Sequence, residues 1–174
     1  MDDTRGDTPG IRLLPWSDED AGLLRAMNAP ELMEHLGGPE SEEKLADRHR
    51  RYVALSADGG KSGRMFRIDV LPEGTPAGAI GLWESEWDGE AAYETGWTVL
   101  GAFQGRGVAT AATRAVIGKA RAEGRFPALL AFPSAENGPS NAVCRKAGFT
   151  LLGAHDLEYP PGRPMRCNVW RLEL

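Results

Sequence analysis

Cysteine and histidine are scarce in this 174-residue sequence. Its two cysteines, Cys144 and Cys167, and its three histidines, His35, His49 and His155, stand in no spacing typical of metal ligands. Two cysteines are also too few for the disulfide framework of a small secreted protein. We therefore predict neither a metal site nor a disulfide scaffold.

Long apolar runs and an excess of positive charge are missing too. No run approaches the roughly 18 apolar residues of a membrane span, and the opening MDDTRGDTPG is acidic and polar, unlike a signal peptide. The net charge is −5, whereas nucleic acids and anionic membranes select clustered Lys and Arg. We expect a cytoplasmic protein that binds neither nucleic acid nor membrane. A cationic partner fits the charge better.

The composition, 41% hydrophobic and 26% charged, is that of one globular domain. We predict a frayed terminus over 1–10 and a single domain over 11–174. Hydrophobic periodicity predicts helices at 17–28, 41–57, 108–124 and 138–148, and strands at 11–16, 64–71, 77–87, 90–100, 126–132, 150–159 and 165–174. This order predicts an α/β (α+β) domain with a mixed, mostly antiparallel twisted sheet flanked by helices.

The stretch FQGRGVATAA, 103–112, places Gly105 and Gly107 directly before a helix. Unpaired backbone N–H groups at the positive end of a helix dipole form a binding site for phosphate. Glycine lets the anion approach closely, and Arg106 adds a charged donor. A dinucleotide fingerprint is excluded, because Thr110 stands where a third glycine is needed. The stretch therefore predicts a phosphate site, or else a turn that only links strand to helix.

Three segments together, AAYETGWTVL, QGRGVA and NGPSNAVCRKAGF, resemble the GNAT acyltransferase superfamily. The resemblance is closest to its branch of ribosomal-protein N-terminal acetyltransferase-like enzymes, and it covers essentially the whole chain. It implies an acyl-CoA cofactor, namely acetyl-CoA, whose pantetheine lies in a cleft between the splayed fourth and fifth strands. The cofactor-binding residues that it implies are Thr98, Val99, Leu100, Gln104, Gly105, Arg106, Gly107, Val108, Ala109, Asn137 and Ser140.

Amine acylation needs a base, a polarised thioester carbonyl and a proton for the thiolate leaving group. The resemblance implies that a backbone amide near Thr98–Leu100 polarises the carbonyl. Glu94 matches an acidic position that many family members carry, and it could act as the base through a water. It could equally be a solvated or ion-paired carboxylate, and Glu84 and Glu86 are rival bases.

The acid is less clearly assigned. Many family members carry a tyrosine five residues before the Phe of the closing Gly-Phe, and here that residue is Cys144. Its thiol could donate a proton, or it could be a small hydrophobe that lines the channel. In the branch that the sequence resembles, the serine of Asn-x-x-Ser has the acid role, which implies Ser140. The alternatives are that Ser140 caps its helix and that Asn137 closes a turn rather than binding the cofactor.

The segment GLWESEWDGE brings Trp83, Glu84, Glu86 and Trp87 together in the sequence. Such a hairpin could hold a protonated amine, or it could be an ordinary solvated turn. We predict an N-acetyltransferase that acts by direct attack on a small cationic amine, such as an aminoglycoside-like antibiotic, which would make it a resistance enzyme. The alternatives are a protein N-terminal amine as the acceptor and a non-catalytic acyl-CoA-binding module. Members of this family often form homodimers, so the resemblance also implies a homodimer.

Overall fold

The computed structural model describes residues 9–57, 63–158 and 161–174. The strands are β1 Ile11–Pro15, β2 Gly63–Val70, β3 Thr75–Trp87, β4 Glu90–Val99, β5 Ala128–Ala131, β6 Thr150–Glu158 and β7 Pro164–Glu173. The helices are α1 Ala21–Met27, α2 Pro30–Met33, α3 Glu42–Ala57, α4 Val108–Glu123 and α5 Gly138–Ala147, with 3₁₀ turns at Asp18–Asp20, Glu34–Leu36 and Gly101–Phe103.

Most of the predicted frayed terminus, Gly59 and Gly60, which were expected to end the predicted helix 41–57, and Tyr159 at the end of the predicted strand 150–159 lie outside the described residues. The predicted order of elements is confirmed, with one addition. The short helix α2 was not predicted, because Asn28 and Pro30 indicate a break in the chain. Pro30 instead occupies the first turn of α2, where its fixed φ and missing N–H are tolerated.

The seven strands form one sheet in the order β1-β2-β3-β4-β5-β7-β6. Every neighbouring pair is antiparallel except β4 and β5, which are parallel. The predicted fold class, a mixed and mostly antiparallel sheet flanked by helices, is confirmed. Among the described residues, no helix is long and apolar enough to cross a lipid bilayer.

Strands β4 and β5 pair over only two positions, Tyr93 opposite Leu129 and Glu94 opposite Leu130. Beyond Glu94, β4 stays paired with β3 to its end, while the chain that follows β5 stays hydrogen-bonded to β7. The facing edges of β4 and β5 are therefore unpaired from this point. This is the predicted separation of the fourth and fifth strands, and Glu94 lies where they part.

The two faces of the sheet are covered differently. One face packs against α4 and α5 in the main core, whose largest members include Phe66, Ile68, Ile80, Leu82, Val116, Leu129, Phe149 and Trp170. On the second face, α1 and α3 contribute Leu24, Met27 and Leu45 to a cluster that also contains Trp16, Met65 and Ala79 of the β1–β3 side. Among the described residues, the β4–β5 side of the second face carries a small cluster of Ala92, Ala128 and Leu130 with Trp87 and Phe132, and none of these five residues is helical. We call these five residues the open face.

A buried ion network fixes α1 over the second face. The Arg67 guanidinium donates to both carboxylate oxygens of Asp69, at 2.7 and 3.0 Å, and to Asp20 at 2.9 Å. The hydrogen bonds to Asp69 are the main reason that the pKa of Arg67 lies above its usual range. Asp20 also accepts from the Ser17 backbone N–H at 2.9 Å in a capping box. The start of α1 is thereby tied to β2.

Candidate functional site

The loop between β4 and α4 depends on two glycines in the left-handed region of φ. Gly105 has φ +71° and Gly107, the N-cap of α4, has φ +79°. Apart from the two chain neighbours of Gly105, no atom of the described residues lies within 4 Å of a Cβ placed there, so these residues leave the space in front of the turn open. The Gln104 side chain holds the loop to the end of β4 by donating to the Val99 carbonyl at 3.0 Å.

The backbone N–H groups of residues 105–110 have no backbone acceptor among the described residues. The first helical hydrogen bond runs from Ala111 N–H to the Gly107 carbonyl at 3.0 Å. Arg106 is exposed and lies over the Phe103 ring, 5.5 Å from its centroid. Free amides, the positive end of a 16-residue helix and a guanidinium therefore meet at one place, which suits an anion. The residues brought together are those predicted from the sequence: Gln104, Gly105, Arg106, Gly107, Val108 and Ala109.

The backbone of β4 offers donors along the edge that faces β5. The Leu100 N–H donates to the Ala77 carbonyl of β3 at 2.8 Å. Because the two backbone groups of a residue point the same way and alternate along an antiparallel strand, Thr98 also faces β3 and Val99 faces the opened edge. Of the three residues predicted to bind the cofactor here, Val99 is the one whose amide lies toward the gap.

Glu94 lies at the fork, opposite Trp83 of β3 and Leu130 of β5, and only 8% of it is exposed. Burial raises the pKa of Glu94, and hydrogen bonding to Ser85 and Trp83 opposes this rise by smaller amounts. The buried Cys167 lies close enough for the Glu94 charge to add to the effect of burial, and both raise the pKa of its thiol. A carboxyl group with a raised pKa at the point where two strands part is suited to accept a proton.

Helix α5 carries the predicted acid. Asn137 is its N-cap, and the Asn137 side-chain oxygen accepts from the Ser140 N–H at 3.2 Å. Within the described ranges, no residue hydrogen-bonds the half-buried Ser140 hydroxyl, so Asn137 rather than Ser140 caps the helix. Cys144 lies fully buried in the main core, and burial raises the pKa of its thiol to about 12. This placement favours the interpretation of Cys144 as a small core hydrophobe.

Asn141, the residue after Ser140, was not predicted as part of the site, yet its side chain makes four hydrogen bonds. Its amide nitrogen donates to the carbonyls of Ser134, at 3.0 Å, and Asn137, at 2.7 Å. Its oxygen accepts from Asn168 and from the Trp170 indole, both at 2.8 Å. Asn141 therefore holds the start of α5 to β7. Nothing in its sequence neighbourhood indicates these long-range partners.

The four residues predicted to bind the acceptor do not form one surface. Side chains alternate along β3, so Trp83 and Trp87 lie on the same face as Glu94, while Glu84 and Glu86 lie on the other. Both glutamates are exposed, and Glu84 forms an ion pair with Arg125 at 3.2 Å. The expected combination of acids and aromatic rings is therefore divided by the pleat of the strand.

An aromatic cluster takes the place of the expected acidic hairpin. The Trp87 ring lies 5.7 Å from that of Phe132, which follows β5, and 5.0 Å from that of His155, on β6. His155 in turn lies opposite Cys167 of β7. Sequence reasoning missed Phe132, His155 and Cys167 because their proximity depends on the register of β6 and β7. We call Trp87, Phe132 and His155 the aromatic cluster.

In the part of the chain that the structure describes, no group of three or more His, Cys, Asp or Glu residues is arranged to hold a metal ion. The polar groups that line the site include the loop amides, the Arg106 guanidinium, the Val99 edge, Glu94, Asn137 and Ser140. They can bind an anion, accept a proton and donate one.

Comparison with known proteins gives one family and several structures of the same fold. Residues 11–150 match the family model described as Acetyltransferase (GNAT) domain. The Salmonella typhimurium acetyl transferase that modifies the N-terminal serine of 50S ribosomal subunit protein L7/L12 is 20% identical, with a TM-score of 0.77 over 94% of this chain and 95% of that one. The spermidine N-acetyltransferase of Vibrio cholerae, in complex with CoA and spermine, is 15% identical, with a TM-score of 0.75 over 94% and 95%. An aminoglycoside acetyltransferase in complex with coenzyme A is 19% identical, with a TM-score of 0.73 over 94% and 95%.

Proposed function

The chain belongs to the GNAT acetyltransferase family, and on that premise we propose that it transfers the acetyl group of acetyl-CoA to the primary amine of a small cationic molecule. The observation that carries the proposal is the fork itself. A buried carboxyl group, Glu94, lies where β4 and β5 part, and the same strand β4 leads into a loop of free amides.

The residues present fit acetyl-CoA. The amides of 105–110 suit its pyrophosphate, because the described residues offer them no backbone acceptor and leave open space in front of Gly105. The unpaired edges of β4 and β5 leave backbone donors and acceptors for the pantetheine arm. Asn137 can add a donor, since only its side-chain oxygen is used in capping α5. Bound acetyl-CoA supplies an activated acyl thioester that an amine can attack directly.

The residues of the chain supply the proton transfers and the charge stabilisation. Glu94 accepts the proton that the amine loses, directly or through a water, and its raised pKa brings it closer to the value that suits a base at neutral pH. The Val99 N–H is placed to stabilise negative charge at the reacting carbonyl. The Ser140 hydroxyl is the acid for the leaving thiolate, in preference to the core residue Cys144.

A protein N-terminal amine is the second candidate acceptor. It is supported by the likeness to the Salmonella enzyme that modifies an N-terminal serine. An aminoglycoside-like antibiotic is the candidate that the acidic hairpin favoured, and the division of that hairpin between two faces removes the reason for preferring it. The antibiotic-resistance role, the cytoplasmic location and the homodimer stay predictions.

Calorimetric titration with acetyl-CoA, followed by a thiol-release assay on the same sample, tests the proposal. The acceptor panel holds small monoamines, spermidine, kanamycin and short peptides. Binding with release on a small amine supports the proposed function, and release confined to peptides supports the N-terminal alternative. Binding without release on the whole panel supports a non-catalytic acyl-CoA-binding module. Absence of binding overturns the phosphate-loop interpretation.

A further inference from the structure

The aromatic cluster, two members of which belong to the open face, is only partly covered by the described residues. Trp87 and Phe132 are half-buried and His155 is exposed. No helical residue belongs to the open face. Trp87 and Phe132 pack against the group of Ala92, Ala128 and Leu130, and Leu130 pairs with Glu94. Burial and the Glu94 charge raise the pKa of the thiol of Cys167, which lies opposite His155, so the aromatic cluster lies near Glu94. Aromatic surface exposed to water next to a reactive group favours a ligand that removes it from water.

Among the described residues, the β3–β4 hairpin offers one carboxylate on this face that is not ion-paired, which does not suit a polycation. The β3–β4 hairpin places two carboxylates on the face of Trp87, namely Glu94 and Glu90. Arg171 bridges Glu90, at 3.0 Å, and Glu173, at 2.6 Å, so Glu90 already has a cationic partner. Glu84 and Glu86 lie on the opposite face. Glu94 is therefore the carboxylate of the hairpin left for an amine, whereas a polyamine or an aminoglycoside carries several charges that need partners.

We propose that the acceptor is a monoamine that carries an aryl or bulky alkyl group, which packs against the aromatic cluster while the amine reaches Glu94. This inference rests on the proposed function and narrows its substrate class. The rings of Trp87, Phe132 and His155 select the apolar group by contact area and offset or edge-to-face geometry. The same chemistry is presented by a small arylalkylamine and by a polypeptide whose first residue is aromatic.

Matched acceptors and variants test the inference. The acceptors are 2-phenylethylamine and ethylamine, which share one primary amine and differ in the ring, with spermidine and kanamycin as polycations. We expect kcat/KM for 2-phenylethylamine to exceed that for ethylamine by about tenfold or more. Trp87→Ala should lower the value for 2-phenylethylamine by about tenfold, mainly through KM, and change that for ethylamine by less than about twofold. Trp87→Phe, which keeps an aromatic ring at this position, should keep most of the preference for 2-phenylethylamine over ethylamine.

Two controls separate recognition from folding. Leu152→Ala removes an exposed apolar side chain of β6 outside the aromatic cluster. It should leave kcat/KM unchanged for all four acceptors. The affinity of each variant for acetyl-CoA, measured by calorimetry, reports an intact fold, and Phe132→Ala replaces Trp87→Ala if the latter does not fold. Calorimetry also measures the affinity for 2-phenylethylamine directly, without turnover. We expect this affinity to be about tenfold weaker in Trp87→Ala than in the wild type.

The failures of the two proposals are distinguishable. Loss of acetyl-CoA binding in the wild-type protein overturns the proposed function and the inference that rests on it. Normal acetyl-CoA binding with spermidine or kanamycin as the preferred acceptor overturns only the inference, as does equal use of 2-phenylethylamine and ethylamine. A preference for the tripeptide Phe-Ala-Ala over Ala-Ala-Ala, with little use of 2-phenylethylamine, supports the aryl amine chemistry and assigns it to a polypeptide terminus.

Discussion

Replacing Asn141 by leucine, a side chain of similar size, should destabilise the protein strongly. Asn141 is 7% exposed, and each of its side-chain polar atoms makes two hydrogen bonds. The four partners are not equally affected by the loss. The carbonyls of Ser134 and Asn137 each keep a backbone donor, and the half-buried Asn168 amide can turn toward water. The Trp170 indole N–H is left buried without an acceptor.

The size of the stability loss can be worked out from these four hydrogen bonds. A stranded buried donor costs about 1–3 kcal/mol, and each of the other three lost hydrogen bonds costs about 0.5–1.5 kcal/mol net. Part of this free-energy cost is offset, because removing an apolar leucine side chain from water is more favourable than removing the polar amide of asparagine. We expect a loss of about 2–5 kcal/mol in the free energy of unfolding, which for a domain of this size lowers Tm by about 5–15 °C. Urea unfolding followed by circular dichroism measures the loss.

A double-mutant cycle isolates the bond that should dominate. Trp170→Phe removes the indole donor and keeps an aromatic ring in the core. In that background Asn141→Leu should cost at least about 1 kcal/mol less than in the wild type, because no donor is left stranded. A cost of Asn141→Leu below about 0.5 kcal/mol, or equal costs in the two backgrounds, would refute the reasoning.

Three further predictions concern the site. Gly105→Ala and Gly89→Ala place a Cβ at φ +71° and +80°, in both cases with no atom of the described residues within 4 Å apart from chain neighbours, so both should cost about 1–2 kcal/mol of stability. Only Gly105→Ala should weaken acetyl-CoA binding, by about tenfold or more in calorimetry. Equal affinities of the two variants would contradict the phosphate loop. Ser140→Ala should lower kcat more than it changes KM, and unchanged kcat would mean that Ser140 is not the acid. Glu94→Gln should lower kcat by about 10²–10⁴-fold, and thermal unfolding at neutral pH should show it to be more stable than the wild type.

The cofactor half of the site could be predicted from the sequence because its determinants are local. Gly105 and Gly107 are next to the helix that they precede, and their left-handed φ follows from the need to turn the chain within a few residues. The separation of β4 and β5 needed the family resemblance, since no local pattern states where two strands stop pairing. The break at Asn28 likewise concealed α2, because Pro30 both ends one helix and begins the next.

The acceptor half could not be predicted in the same way. Trp87 and Glu86 are neighbours in the chain, yet the two-residue period of a strand sends them to opposite faces, and the sequence prediction treated the hairpin as one surface. His155 joins Trp87 only through the register of a strand that lies at the far edge of the sheet. Such contacts depend on long-range pairing, which single-sequence patterns do not encode.

Glu94→Gln is expected to lower kcat and to raise the stability of the fold, and both effects follow from the burial of the Glu94 carboxyl group. Burial raises its pKa above the ordinary value of 4.5, so in the pH range between 4.5 and the folded-state pKa the folded protein binds more protons than the unfolded chain. Stability therefore falls as the pH rises through this range, and above the folded-state pKa the ionised carboxylate carries the cost of its burial. Glutamine does not titrate, so the stability gained on substitution should grow across the same range. If the increase in stability on Glu94→Gln does not depend on pH, folding does not raise the pKa of Glu94. The reason for assigning Glu94 as the base would then be lost.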